Sequence, residues 1–429
     1  MTSCARSNPP GPAEKYDPAV DLLDWLQTQF DLYGDIYKAS IYGSHVYVIS
    51  SPEYVEQVLL RNWQNYPRSG HAVKRIALSL GNGLISSNGS RWARQRRMIQ
   101  PAFTRNAVAA HIEVMANVSR KLLKQWTQSA DCGESVNVTK YVSLTVLEVT
   151  LRCLFGHDYD LVAPHFAVVA DGQRNLQFAR TMSTLGRMIV QIAEARRGKD
   201  RSGDARDILE ALMLARDREQ GQPMTDAQLA SEMLTLVIAG HETTASVLNW
   251  MWYLLSEHPQ VEARLSEELA NFDERRQLDV SDLIGLPYSR YVLDEALRLY
   301  PPLWLMTRKA TAEDVLGEYF VPVGTEIYIS PFLIQRCPRF WEVPDRFNPD
   351  RFDSANSENR PRLSMCPFGA GPRNCVGEQF ALVEMQIHLI TIASRLRLIG
   401  TGNRAPEFAA GVNLLSKDEF IMTPQIKSC

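Results

Sequence analysis

FGAGPRNCVG, residues 368–377, crowds one thiol, Cys375, with three glycines, a proline and an arginine. A thiolate that ligates a metal needs backbone N–H groups aimed at its sulfur, room for the ligand and shelter from oxidation. Gly369, Gly371 and Gly377 meet the first two needs, because residues without a Cβ allow tight turns and close backbone approach. EQFALVEMQIHLITIASRL, the next stretch, reads as a helix with Phe380, Val383, Ile387 and Ile390 on one face. Starting just past Cys375, that helix turns its free N–H groups back toward the sulfur. The competing reading of these residues alone is a buried structural cysteine in a glycine-rich turn.

Around this loop the composition is that of a globular chain: 429 residues, 45% hydrophobic and 22% charged. The formal net charge of -3, from 46 basic and 49 acidic residues, excludes wholesale attraction to nucleic acid or to an anionic membrane. The N-terminus, MTSCARSNPPGPAEKYDPAV, is polar and proline-rich, so residues 1–15 read as a flexible tail without a signal sequence. No apolar run reaches the length of a membrane span, and a soluble, cytoplasmic protein is expected. Cys4, Cys132, Cys153, Cys337, Cys366, Cys375 and Cys429 stand singly, without a C-x-x-C pair, which indicates neither a disulfide framework nor a zinc knuckle.

Periodicity divides the chain coarsely. DLLDWLQTQFDLYG (21–34) predicts an amphipathic helix, and DIYKASIYGSHVYVIS (35–50) two strands turning at Gly43-Ser44. Helical spacing of apolar residues fills 107–128, 137–155, 205–219, 226–257 and 259–271. A second strand-rich patch follows at 318–330, then a proline-studded run over 331–374 whose aromatic content predicts an ordered, meandering loop.

Three further stretches carry candidate chemistry. LTLVIAGHETTAS (234–246) sets a glycine and a polar cluster inside an apolar helix, although glycine there costs about 1 kcal/mol relative to alanine. Leu236, Ala239, Gly240, Thr243 and Val247 share one face, a stripe flat enough for a planar cofactor. Close helix packing, with Thr243 bonding back to its own helix, fits these residues equally well. RWARQRR (91–97) holds four arginines and a tryptophan, which alone reads as a solvated basic face. Glu295 and Arg298 in EALR share a helix face, and alone read as a surface pair worth about 0.2–0.5 kcal/mol.

Taken together, these residues resemble the cytochrome P-450 family. Phe368, Gly371, Arg373, Cys375 and Gly377 fit its F-x-x-G-x-R-x-C-x-G loop, Glu295 and Arg298 its E-x-x-R, and AGHETT its A-G-x-[DE]-T stretch. The resemblance implies heme b (iron protoporphyrin IX), with Cys375 as the metal ligand, Phe368 beside it, and Gly369, Gly377, Ala239 and Gly240 at the cofactor. Trp92, Arg96, Arg308 and Arg373 are implied to bind its propionates, and Arg351 to join Glu295 and Arg298 in a buried structural triad. Glu242 and Thr243 are implied as the acid–alcohol pair that delivers protons. His241, on a different helical direction, is expected to be structural.

Length alone suggests two or three domains; the family fold implies one, spanning 1–429, mainly α with a small β-rich part. The implied activity is a heme-thiolate monooxygenase that inserts one oxygen atom of dioxygen into an apolar small molecule, by hydroxylation or epoxidation. Fatty acids, terpenoids and other natural products fit the mainly apolar stretches that the resemblance implies line the pocket: 71–86, 160–190, 236–243, PPLWLM (301–306) and AGVNLLS (410–416), with Leu303, Trp304, Leu305, Met306, Leu414 and Leu415 prominent. Lys74 and Arg75 are candidate contacts for a substrate carboxylate, against the plainer reading of a solvated pair. Electrons are expected from a separate ferredoxin or flavodoxin with its NAD(P)H-dependent reductase, with Arg91, Arg94 and Arg97 as a docking patch. A monomer without a membrane span is expected. Alternatives are a heme-thiolate isomerase or peroxygenase, and a non-catalytic heme-binding sensor.

Overall fold

A computed structural model describes residues 7–68, 81–170, 176–197, 205–358, 360–402 and 406–427. Lys74, Arg75 and most of the predicted 71–86 pocket segment lie outside the described residues.

The Asp21 carboxylate accepts from the N–H groups of Leu23 and Asp24 and so starts α1 (Leu22–Tyr33), which Gly34 ends at φ 79°. Beyond it β1 (Ile36–Ile41) and β2 (Ser44–Ile49) pair antiparallel, Ile36 opposite Ile49 and Ile41 opposite Ser44. The turn falls on Tyr42 and Gly43, at φ 50° and 78°, one residue earlier than predicted. A two-residue hairpin loop whose twist matches its strands needs both residues left-handed.

The helical part comprises α2 (Gly89–Ile99), α3 (Ile112–Asp131), α4 (Val138–Phe155), α5 (Tyr159–Ala170), α6 (Leu176–Arg197), α7 (Ile208–Leu214), α8 (Asp226–Glu257), α9 (Pro259–Glu268), α10 (Pro287–Leu299) and α11 (Glu378–Ala393). The remaining strands are β3 (Val136–Asn137), β4 (Met306–Lys309), β5 (Asp314–Leu316), β6 (Tyr319–Val321), β7 (Glu326–Ile329), β8 (Leu396–Gly400), β9 (Phe408–Ala410), β10 (Leu414–Ser416) and β11 (Ile421–Ile426). They form a sheet of order β1-β2-β7-β4, a sheet β3-β11-β8 and the hairpins β5–β6 and β9–β10. The architecture is mainly α with small β sheets, as predicted. No helix among the described residues is long and apolar enough to cross a membrane.

α8 runs 32 residues through the molecule, opened by a capping box between Thr225 and Gln228. α11 packs against α3, α8 and α10. Leu382, Met385, Leu389 and Ile392 are therefore buried along with Phe380, Ile387 and Ile390, so the predicted one-faced helix is buried nearly all round. The 331–374 run is a string of short helical turns, Pro331–Ile334, Pro349–Phe352, Ser354–Ser357, Arg362–Ser364 and Gly371–Arg373. At the other end of the chain, Ser7 O accepts from Phe320 N at 3.2 Å and Pro10 O from Lys38 N at 2.8 Å. From Ser7 onward the predicted flexible tail is thus pinned along the sheet edge: its prolines cannot donate, but its carbonyls still accept.

Candidate active site

The Cys375 loop closes on itself through backbone bonds. Cys375 N donates to Phe368 O at 2.8 Å, Gly369 N to Cys366 O at 3.0 Å and Asn374 N to Gly371 O at 3.0 Å. Gly369 and Gly371 both stand at φ 71°, and a Cβ on Gly371 would fall 2.0 Å from Leu59 O, so only glycine fits there. The sulfur is exposed, yet protein surrounds it closely enough that burial pushes its thiol up. The Gly377 N–H, Arg96 and Arg68 pull the other way, toward thiolate. Phe368 packs half-buried on the helical core.

A buried polar line fixes this loop from behind. Arg298 donates to Glu295 through Nε at 2.6 Å and Nη2 at 2.8 Å, both side chains being wholly buried. Arg351 Nε adds a second cation on Glu295 at 3.3 Å, completing the predicted triad. Arg298 Nη1 then donates to Gln335 O at 2.8 Å, while Gln335 Oε1 accepts from Cys366 N at 3.0 Å. The triad therefore reaches the cysteine loop through Gln335, a residue that no sequence pattern singled out.

Four guanidinium groups gather beside the loop. Arg96 on α2 donates to Asn374 O at 2.7 Å and to Asn374 Oδ1 at 2.8 Å. Arg373 donates to Ser87 O at 3.1 Å and Asn88 Oδ1 at 2.9 Å, and lies over the Trp92 ring at 4.1 Å. Arg68 donates to Arg373 O at 3.2 Å and forms an isolated backbone bridge with Arg308. Burial first, then Arg68 and Arg373, bring the pKa of Arg308 down to about 9. Burial and then Arg68 bring Arg373 to about 10. Among the described residues no carboxylate pairs with any of the four, and the Arg373 Nε is buried without a partner. Such a cluster calls for anions, and its residues fit the two carboxylates that a heme seated beside the thiol would bring. Arg68 was missed by sequence reading, since a lone arginine in YPRSG carries no pattern.

In the middle of α8 the accessible surface is a short patch. Ile238, Ala239, Gly240, Glu242 and Thr243 are half-buried between flanks that are sealed, including Leu236 and Val247 of the predicted stripe. Thr243 Oγ1 donates to Ala239 O at 2.7 Å, the back-bonded alternative, which leaves its lone pairs free to accept. A Cβ on Gly240 would sit 3.5 Å from the Thr150 side chain of α4, so this glycine also serves helix packing. Glu242 Oε2 accepts from Asn413 Nδ2 at 2.6 Å. His241 is buried, its Nε2 within 3.0 Å of Ser143 Oγ, which fits the structural role expected of it.

Two expectations change. Arg97 pairs with Asp217 and Glu219, at 3.4 and 2.8 Å, and Arg94 with Asp217 at 3.8 Å. These arginines stitch α2 to the segment before α8 and do not form a free docking patch; of the trio only Arg91 is exposed. Trp304 is buried in the sheet-side core with its indole donating to Gly411 O at 2.9 Å, so it supports the β9–β10 hairpin from behind.

Thiol, cation cluster and half-buried acid–alcohol pair within a mainly helical fold define a heme-thiolate protein. The Cytochrome P450 family description matches residues 21–184 and 173–419, and the chain belongs to that family as a monooxygenase with heme b as its cofactor. It is 33% identical over 391 residues to cyclooctatin synthase of Streptomyces melanosporofaciens, covering 85% of this chain and 83% of that one. To cyclooctat-9-en-7-ol 5-monooxygenase of the same organism it is 34% identical over 390 residues, with the same coverage. In fold it is similar to the crystal structure of CYP102L1, at a TM-score of 0.88 and 22% identity over 98% of this chain and 99% of that one. It is also similar to the retinoic acid-bound cyanobacterial CYP120A1, at 0.86 and 23%, over 98% of this chain and 100% of that one.

Proposed function

We propose that this monooxygenase places one oxygen atom of dioxygen on an apolar alicyclic substrate of terpenoid kind, by hydroxylation or epoxidation. Two relatives at 33% and 34% identity, one named for cyclooctatin and one for cyclooctat-9-en-7-ol, support that substrate class. So do the exposed apolar side chains Leu303, Val412 and Leu415, chain neighbours of the Leu414–Pro302 and Asn413–Glu242 hydrogen bonds. The observation that carries the reading is the anion-less arginine cluster around an accessible thiol.

In this reading Cys375 ligates the iron, Phe368 shields the sulfur, Gly369 leaves room beside it, and the Gly377 N–H points at the sulfur. Arg68, Arg96, Arg308 and Arg373 bind the propionates, with Trp92 stacked beneath Arg373. Ala239 and Gly240 present a low wall. When bound, heme b supplies the activation of dioxygen. Thr243 Oγ1, held by Ala239 O, accepts a hydrogen bond at a fixed point, and the Glu242 carboxyl holds and releases the proton that arrives from solvent. Electrons come from a separate ferredoxin or flavodoxin with an NAD(P)H-dependent reductase, and the enzyme works as a monomer in the cytoplasm.

The optical spectrum of the reduced carbon monoxide complex tests the ligand assignment: wild type gives the thiolate band and Cys375→His loses it. A library screened for the low- to high-spin shift, followed by product analysis with NAD(P)H, tests the substrate class. Substrate rearrangement without dioxygen uptake would favour the isomerase alternative, and binding without turnover the sensor.

A further inference from the structure

The bond from Asn413 Nδ2 to Glu242 Oε2, at 2.6 Å, ties α8 to the tip of the β9–β10 hairpin. Asn413 is buried, and the tip that carries it is fixed at three other points. Trp304 Nε1 donates to Gly411 O at 2.9 Å, Leu414 N to Pro302 O at 2.9 Å, and Ser246 Oγ to Leu414 O at 2.6 Å. Gly411 N closes the turn on Asn413 O at 3.2 Å. The amide is thus a donor at a fixed place, and a short hydrogen bond from a fixed donor sets the direction of the carboxylate that accepts it.

We infer that Asn413 is a positioning residue for the Glu242 carboxyl, orienting it for proton delivery without touching substrate or dioxygen itself. The inference rests on the reading of Glu242 as the relay acid. Productive turnover takes dioxygen, two electrons from the reductase chain, two protons and substrate to oxygenated product and one water. With the proton misdirected, the same dioxygen, electrons and protons leave as hydrogen peroxide. An acid oriented by Asn413 favours the first outcome, and an acid that has lost this contact the second.

The test uses the heme-loaded full chain. In ¹⁵N-asparagine-labelled wild type, one side-chain amide proton, assigned by its loss in Asn413→Ala, lies downfield and returns toward the free-amide position in Glu242→Gln. A resonance already at the free-amide position overturns the inference. For turnover, the probe is the terpenoid or fatty acid giving the largest spin shift with wild type, with a plant-type ferredoxin and its reductase supplying electrons. Asn413→Ala and the isosteric Asn413→Asp should raise the ratio of peroxide to product about tenfold, the loss of one hydrogen bond to a charged group. The spectral Kd should stay within about twofold, since a merely distorted hairpin would move Kd first. In the Glu242→Gln background, Asn413→Ala should add nothing. Full additivity, or a raised Kd without extra peroxide, overturns the inference. If Glu242→Gln raises peroxide and Asn413→Ala does not, the inference fails alone. If Glu242→Gln leaves the ratio unchanged, the relay reading fails and the inference with it.

Discussion

Arg308→Met separates what a buried guanidinium costs the folded chain from what it does for the cofactor. Arg308 is 5% exposed and donates to Thr307 O at 2.8 Å; no carboxylate pairs with it among the described residues. Burial, with Arg68 and Arg373 nearby, brings its pKa from the ordinary guanidinium value down to about 9. At 1.36 kcal/mol per pKa unit this corresponds to a folding penalty of roughly 5 kcal/mol at most. Methionine fills similar space without charge, and replacing a buried ion by an apolar residue of like volume stabilises by about 1–4 kcal/mol. The heme-free protein should therefore unfold at higher urea in Arg308→Met. The loaded protein should instead lose a charge-assisted bond of about 1.5–3 kcal/mol and release heme at least tenfold more readily. Tryptophan fluorescence in urea reads the first effect and heme transfer to an excess acceptor apoprotein the second. The pH dependence has a definite sign. From pH 9 up to the ordinary guanidinium value the unfolded chain holds more protons at this group than the folded one. Its contribution to apoprotein stability thus rises with pH across that window, and the variant lacks the rise. Destabilisation of both forms would refute the cluster as an anion site.

Glu295→Gln should cost about 3–5 kcal/mol in a urea titration of the loaded protein, because Arg298 stays buried beside a neutral partner; a loss below about 1 kcal/mol would remove the triad from the scaffold. Gly371→Ala should abolish heme retention, with a methyl 2.0 Å from Leu59 O at φ 71°. Gly377→Ala, whose methyl would lie 4.0 Å from Cys375 Sγ, should keep the pigment, and equal losses would refute the steric argument. Glu232 is wholly buried, accepts from Leu84 N at 2.8 Å, and burial raises its pKa from 4.5 to about 7. Its contribution to stability is full below pH 4.5 and lost as pH rises through 7, so Glu232→Gln should flatten that slope and stabilise the protein at pH 8.

What the sequence made legible were groups whose chemistry is local. The glycine spacing around Cys375, the i,i+3 register of Glu295 and Arg298, and the break in apolar pattern at Gly240 are each set within one turn or one loop. Groups that matter through long-range contact left no trace. Arg68 meets Arg308 across the sheet edge, Gln335 links two distant segments, and Asn413 reaches α8 from a hairpin 171 residues further along the chain. The basic run at 91–97 misled for the same reason, since Asp217, which neutralises Arg94 and Arg97, is more than a hundred residues away. The pinned N-terminal run was invisible because its carbonyls, not its side chains, make the contacts.

The line from Glu295 through Arg298 and Gln335 to Cys366 has an evolutionary corollary. The sulfur is braced by parts of the chain that differ from the hairpin and the 302–305 strip where a guest molecule would rest. Drift in selectivity and preservation of the red pigment are thereby uncoupled. If the exposed Leu303, Val412 and Leu415 meet the guest as proposed, variants randomised there should change selectivity while inheriting the same chassis.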